Sequence, residues 1–352
     1  MLSYSRSMGS SPCSCARDGV VSCVHRTRVN AGGPDHTPLM SFPILGLHHV
    51  TATVDDAQAD LDFARDALGM RLVKKTVNFD NRGVYHFYYG DERGTPGSLW
   101  TTFPYRLRQV PSGIKGAGQV TVTSFSVPAG SLDAWKVRLR DRGFTVTDAP
   151  PRFGEESIVV ADPSGLSIEL VATAGDTRTP WITGDIDSAS AIRGIHSVTM
   201  SVDDSAPTIA FMREWFGFAV AEEMDGRTRV AVNGTGPGKS VDILTSPDGA
   251  RAKNGVGTVH HVAMAIADGR EQLRLREALI ARGIDVTPVM DRSYFQSIYF
   301  REPGGILFEV ATMAPGFTVD EPLEELGRGL KLPPWEEARR AEIAEALPLI
   351  RY

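Results

Sequence analysis

The chain has 352 residues, 42% hydrophobic and 23% charged, and a formal net charge of -6 at pH 7. That is a globular composition long enough for two domains, and its acidic balance leaves no basic stripe for nucleic acid or an anionic membrane. No apolar run reaches transmembrane length, and Cys13, Cys15 and Cys23 all lie near the start, so no disulfide framework is expected in the body and a reducing cytoplasm is the expected location.

Residues 1–39 are rich in Ser, Gly, Arg and Cys and show no sustained apolar period, which predicts a disordered extension outside the fold, with Met40 as an alternative start. Cys13, Cys15, Cys23 and His25 match no standard zinc spacing. From residue 44 the chain reads as four related units. Gly46, Val50, Asp55, Asp56, Leu61 and Gly69 of the first fall on Gly194, Val198, Asp203, Asp204, Ile209 and Gly217 of the third, a constant offset of 148 (217 − 69). In each, a strand leads to an Asp pair suited to helix capping, then to an amphipathic helix, a glycine stop and further strands. Trp135, Leu139, Arg142, Gly143 and Glu169 of the second fall on Leu275, Leu279, Arg282, Gly283 and Glu309 of the fourth, an offset of 140 (309 − 169). The expectation is an α+β protein of four βαβββ units, with 44–173 and 194–313 as two pairs around a linker at 174–193. Residues 314–352 form an extension whose short helix, marked on one face by Trp335, Ala338, Ala341, Ala344 and Leu347, packs on the body or on a partner subunit of a homo-oligomer.

Two histidine pairs punctuate this repeat. His48-His49 opens the first strand of unit 1, and His260-His261 opens that of unit 4. Side chains alternate along a strand, so a regular strand offers one histidine of each pair to a shared metal. Glu309, a carboxylate flanked by apolar residues in the last strand, is the candidate third ligand, because an unpaired charge there is costly. Two imidazoles and one carboxylate make the facial triad of non-haem Fe(II) oxygenases.

The repeat with a His near its first strand and a Glu in its last resembles the vicinal oxygen chelate superfamily. The blocks Lys74 to Asp80, Tyr85 to Glu92, Gly94-Thr95-Pro96-Gly97, Gly257 to His261, Asp291 to Phe295 and Pro315-Gly316-Phe317 resemble, more closely, the hydroquinone-type ring-cleaving dioxygenases. These are the relatives of the dichlorohydroquinone and methylhydroquinone dioxygenases. The resemblance covers residues 44 to about 347 and implies two vicinal-oxygen-chelate domains with cup-shaped mixed sheets. It implies Fe(II) ligands at His49, His261 and Glu309, and residues near substrate and oxygen at His48, Thr51, His260, Arg292 and Tyr299. The register agrees: Ser197 stands in unit 3 where unit 1 has His49, and Val122 in unit 2 where unit 4 has His261. Only units 1 and 4 together complete a triad, so they are expected to share the active cup while units 2 and 3 keep the scaffold.

The expected function is ring cleavage of a small aromatic diol by O2. His48, His260 and Tyr299 are assigned to proton handling and Arg292 to negative charge. His86 and His196 stand outside the ligand register and are read as structural, and Glu169 as a relic of duplication with a hydrogen-bonding partner. The rivals are a glyoxalase-like metal-dependent isomerase, whose usual fourth ligand Ser197 and Val122 do not supply, and a metal-free aromatic-drug-binding protein.

Overall fold

The computed structural model describes residues 42–105 and 110–352, so the readings made for residues 1–39 lie outside it. Four βαβββ units follow one another. The first is β1 (Ile44–Val54), α1 (Ala57–Asp62, continued by a π-helical turn at Phe63–Ala67), β2 (Arg71–Asn78), β3 (Asn81–Gly90) and β4 (Leu99–Pro104). The second is β5 (Gln119–Pro128), α2 (Leu132–Asp141), β6 (Val146–Asp148), β7 (Ser157–Ala161) and β8 (Ser167–Thr173). The third is β9 (Gly194–Val202), α3 (Ser205–Phe216), β10 (Ala219–Met224), β11 (Arg227–Ala231) and β12 (Ser240–Thr245). The fourth is β13 (Thr258–Ile266), α4 (Gly269–Ala281), β14 (Met290–Asp291), β15 (Gln296–Arg301) and β16 (Leu307–Thr312). Of each predicted Asp pair the second member caps: Asp56 accepts from the amides of Gln58 and Ala59, and Asp204 from that of Ala206.

The hydrogen bonding joins units that are not neighbours in sequence. One eight-stranded sheet runs β14-β15-β16-β13-β1-β4-β3-β2, from units 4 and 1; the other runs β10-β11-β12-β9-β5-β8-β7-β6, from units 3 and 2. Each sheet therefore crosses the segment at 174–193. The seams are β1 against β13 and β5 against β9, both antiparallel. The two halves also interlock: the amide of Leu47 donates to Gly238 O, and that of Ile195 to Gly97 O. Gly46 and Gly194 sit at these crossings with φ of 138° and 141°. A Cβ at Gly46 would stand 2.6 Å from Gly238 O, so both the backbone angle and the close approach require glycine.

Strand alternation divides the first sheet into two faces. Val50, Ala52, Phe87, Tyr89, Trp100, Val262, Met264, Phe308 and Val310 join the helix residues Leu61, Leu275 and Leu279 in the main core. The opposite face carries His49, Thr51, His86, Tyr88, Leu99, Thr101, His261, Ala263 and Glu309. The C-terminal extension closes one end of that second face. Phe317 packs on Tyr88 and Tyr294, and Leu330 bridges Lys75, covering the edge strand β2. The fully buried Lys74 ammonium donates to Asp320, Glu321 and Phe317 O of the extension. The predicted short helix is α5 (Arg340–Ala346), but its buried contacts are Ile343 and, just beyond it, Leu347. Of the predicted face only Leu347 is buried; Trp335, Ala338, Ala341 and Ala344 are exposed, because positions three apart drift by about 60° per step around an α-helix and do not share a face. No helix among the described residues is long and apolar enough to cross a membrane.

Candidate metal centre

His49, His261 and Glu309 meet on the seam between units 1 and 4. Across the ladder, Glu309 lies beside Ala263 and Ala263 beside His49, while His261 lies two residues from Ala263 and so faces the same side. His49 Nε2 stands 3.1 Å from Glu309 Oε2, His261 Nε2 stands 2.8 Å from the same oxygen, and the two imidazole nitrogens are 3.3 Å apart. Three donors each at ~2.1 Å from one ion at right angles would be separated by about 3 Å. Glu309 is fully buried, its Oε1 accepts from the Ser297 hydroxyl, and its Oε2 has no hydrogen bond among the described residues. Burial works to raise its pKa, but the imidazoles of His49 and His261 hold it well below the usual carboxylate range. An orphaned anionic oxygen facing two imidazole nitrogens fits a divalent cation.

A pair of β-bulges decides which histidine of each pair takes part. On the β1/β13 ladder Leu47 pairs with Met264 and His49 with Ala263, leaving His48 as the extra residue. Thr51 pairs with His261 and Ala52 with Val259, leaving His260 as the extra residue on the other strand. Each bulged histidine turns its Nδ1 to the Nδ1 of its neighbour, at 2.9 Å for His48 and His49 and 2.8 Å for His260 and His261. The outer nitrogens are thereby occupied and both Nε2 atoms are left toward Glu309, the usual way an outer partner fixes a ligand imidazole. The same bulges recur in the other sheet at Thr121 and His196.

The triad opens into a cavity of about 450 Å³, whose walls include His86, Tyr88, Phe103, His260, Arg292, Phe295 and Tyr299, with Asn78, Asp80 and Tyr105 further along. His260, Arg292 and Tyr299 line the cavity. His48 and Thr51 do not line it. His48 is buried against Phe295 and bonded to Thr312 O at 3.2 Å, so it contacts His49 rather than the open space. Thr51 is bonded to the Thr101 hydroxyl at 2.7 Å. His86, read from the sequence as structural, lines the cavity. Its Nε2 meets Thr101 Oγ1 at 3.0 Å, and among the described residues no group hydrogen-bonds its Nδ1. The alternation in Tyr85-His86-Phe87-Tyr88 placed His86 and Tyr88 on one face; which face was not legible until β3 joined the sheet of β1.

The cavity polar groups are electrically graded. Burial, followed by the nearby His49 and His261, pushes the His86 imidazole well below its ordinary value, and burial with His261 brings His260 down to about 3. Both are neutral at pH 7. Burial and the Glu309 charge raise the Tyr299 hydroxyl, keeping it protonated. Burial opposes the charge on Arg292, but Tyr299 and Asp80 more than restore it. Arg292 Nε donates to the Tyr299 hydroxyl at 3.0 Å, and Nη2 stands 3.4 Å from Asp80 Oδ2. The permanent cation of Arg292, the protonated Tyr299 phenol and the neutral imidazoles of His86 and His260 therefore all border the space beside the triad.

The glyoxalase/bleomycin resistance protein/dioxygenase superfamily matches residues 46–170 and 194–310. The chain is 40% identical over 303 residues to MhqE of Bacillus subtilis, named as a ring-cleaving dioxygenase, covering 86% of this chain and 98% of that protein. It is 36% identical over 320 residues to the chlorohydroquinone/hydroquinone 1,2-dioxygenase of Sphingobium indicum, covering 88% and 98%. The crystal structure of a dioxygenase from Bacillus subtilis superposes with a TM-score of 0.82 at 37% identity, covering 88% of this chain and 99% of that one. With both halves matched, and its relatives covered almost end to end, the chain belongs to the glyoxalase/bleomycin resistance protein/dioxygenase superfamily.

Proposed function

We propose that the protein is an Fe(II)-dependent ring-cleaving dioxygenase acting on a hydroquinone or a related dihydroxyaromatic, with His49, His261 and Glu309 as the metal ligands. The observation that carries the reading is the convergence of two imidazole nitrogens and an orphaned buried carboxylate oxygen at the wall of an aromatic-lined cavity. Relatives named as ring-cleaving and hydroquinone dioxygenases support the substrate class. Fe(II), when bound, supplies electron exchange with dioxygen and a positive charge for a phenolate oxygen.

The chain's own residues supply the rest. Neutral His260, whose Nδ1 is taken by His261, keeps its Nε2 N–H as a donor for a substrate oxygen. Arg292 offers a fixed positive charge to the oxygen that gains electron density, and Tyr299 a proton at its hydroxyl oxygen. Tyr88, Phe103 and Phe295 present apolar faces to the ring and exclude water. In the net reaction one carbon–carbon bond of the ring breaks beside a hydroxyl-bearing carbon, and both atoms of O2 enter the product. His48, behind His49, and Thr51, beneath the floor, act as supports for the cavity.

The test is anaerobic reconstitution with Fe(II) or Zn(II), then oxygen uptake against hydroquinones, catechols and thiohemiacetals. The iron form is expected to consume one O2 per diol and the zinc form none, since zinc exchanges no electrons. A zinc form that isomerises a thiohemiacetal, beside an iron form inert toward every diol, would establish the glyoxalase-type reading instead.

A further inference from the structure

The two sheets hold the same arginine in two different seats. Arg292 and Arg152 are separated by 140 positions (292 − 152), the offset that also relates Glu309 to Glu169, Ser297 to Ser157 and the ladders around them. Each is followed by a non-glycine residue in the left-handed region, Ser293 at φ 65° and Phe153 at φ 50°, so the turns that carry them have the same hand. The serines behave alike too, Ser297 donating to Glu309 and Ser157 to Glu169. The guanidiniums do not. Arg152 donates from both terminal nitrogens to the two oxygens of Glu169, whereas Arg292 donates to the Tyr299 hydroxyl, with its guanidinium carbon 5.1 Å from that ring's centroid.

One difference between the two cases lies in the ladder beside the carboxylate. Tyr299 stands directly across from Glu309, and Val159 stands at the same place across from Glu169. A two-armed guanidinium–carboxylate pair is the strong form of buried ion pairing, and Arg152 shows that an arginine at this point of the backbone is long enough to make it. We propose that Tyr299 is a positioning residue that holds Arg292 off Glu309, by filling the path with its ring and giving the guanidinium a hydroxyl to bind, and so keeps the carboxylate free for a metal. Asp80 contributes by drawing Arg292 from the far side. Where a valine leaves the path open, the arginine occupies the position a metal would take. The inference rests on the metal reading above and assigns Tyr299 a task separate from proton donation.

The test is metal content rather than turnover. Wild type, Tyr299→Val and the double variant Tyr299→Val/Arg292→Gln are loaded anaerobically with Fe(II), and separately with Zn(II), then desalted and assayed for metal per chain. Tyr299→Val is expected to lose metal affinity by about 10–100-fold, the range typical of residues that support ligands, and the double variant to recover to near wild type. Retention of metal by the single variant overturns the inference. So does a double variant that stays empty, because the tyrosine would then support the ligands without reference to the arginine. A wild type that itself retains no metal sinks the metal reading, a different result from either. If Tyr299→Val does not fold, Tyr299→Leu with and without Arg292→Gln poses the same question with more bulk in the sheet.

Discussion

Glu309 and Glu169 occupy one ladder position in two copies of the same sheet, both buried and both bonded to a serine, yet their surroundings differ row by row. Around Glu309 stand His49, His261, Thr101, Tyr88 and His86; the register puts Ser197, Val122, Asp242, Arg229 and Arg227 at the corresponding places. The second cup is filled by a balanced lattice in which Arg152, Arg227 and Arg229 face Glu169, Asp242 and Glu155. Arg229 spans Asp242 at 2.7 Å and Glu155 at 2.5 Å, and Arg152 Nε reaches Asp242 at 3.2 Å. The lesson is about how a buried carboxylate is neutralised. A tethered guanidinium brings five donors and closes the site, whereas an exchangeable metal leaves positions open for other ligands.

The sharpest way to break this comparison is to remove the negative charge from each copy. Glu309→Gln should abolish oxygen uptake and stoichiometric iron binding with the fold intact. Glu169→Gln should keep iron and turnover but lose stability, by about 3 kcal/mol in urea unfolding, because it leaves Arg152 without its principal partner. Iron content and oxygen uptake on both purified variants decide it; an iron-free Glu169→Gln beside an iron-loaded Glu309→Gln would reverse the assignment of the two cups.

A smaller effect should come from His86, whose counterpart Arg227 is tied to Asp242 at 3.3 Å in the sealed cup. Strand β3 is two ladder spacings from β1, about 10 Å, a span suited to a ring carrying a hydroxyl at each end. His86→Phe should weaken anaerobic binding of hydroquinone to the zinc-loaded protein by up to about tenfold, the worth of one hydrogen bond, and leave phenol binding unchanged. Equal losses for both ligands would reduce His86 to a shaping role.

The smallest expected effect is in acid. Burial opposes ionisation of Glu155, but His196 and Arg229 hold it down to about 2 from an ordinary 4.5, and Glu169 is lowered in the same way by Arg152. Between these values the unfolded chain takes up a proton that the folded one refuses, so the contribution is present above the ordinary value and disappears as pH falls toward the folded one. Urea melts of the metal-free protein between pH 5 and about 2 should therefore decline less steeply for Glu155→Gln. An unchanged slope would mean that the lattice is not what makes the sealed cup acid-sensitive.

Local pattern carried much of this molecule. The repeats at offsets 148 and 140, the capping aspartates and the αL glycine at 217 follow from side-chain chemistry within a few residues, so they were legible. The candidate donors His49, His261 and Glu309 were legible because one copy of the repeat keeps groups that the other replaces. Trp335, Ala338, Ala341 and Ala344 were misplaced because a spacing of three was read as one face of an α-helix, whose period is about 3.6 residues. His86 was missed because a strand's alternation tells which residues share a face but not which face looks into a cavity.

The sequence by itself determined the four units, their internal registers and the residue types that chemistry would need. Only the tertiary structure decided that β1 pairs with β13 and β5 with β9, because a strand edge carries the same amides and carbonyls whatever its side chains, and its partner is chosen by long-range closure of the sheet. It also supplied the bulges through which His49 and His261 face Glu309 together, since a bulge arises from the register between two strands and belongs to neither sequence alone. The two fates of Arg152 and Arg292 are of the same kind. Each is an arginine at an equivalent turn, and whether it sits on its carboxylate depends on the residue that the neighbouring strand places in the way.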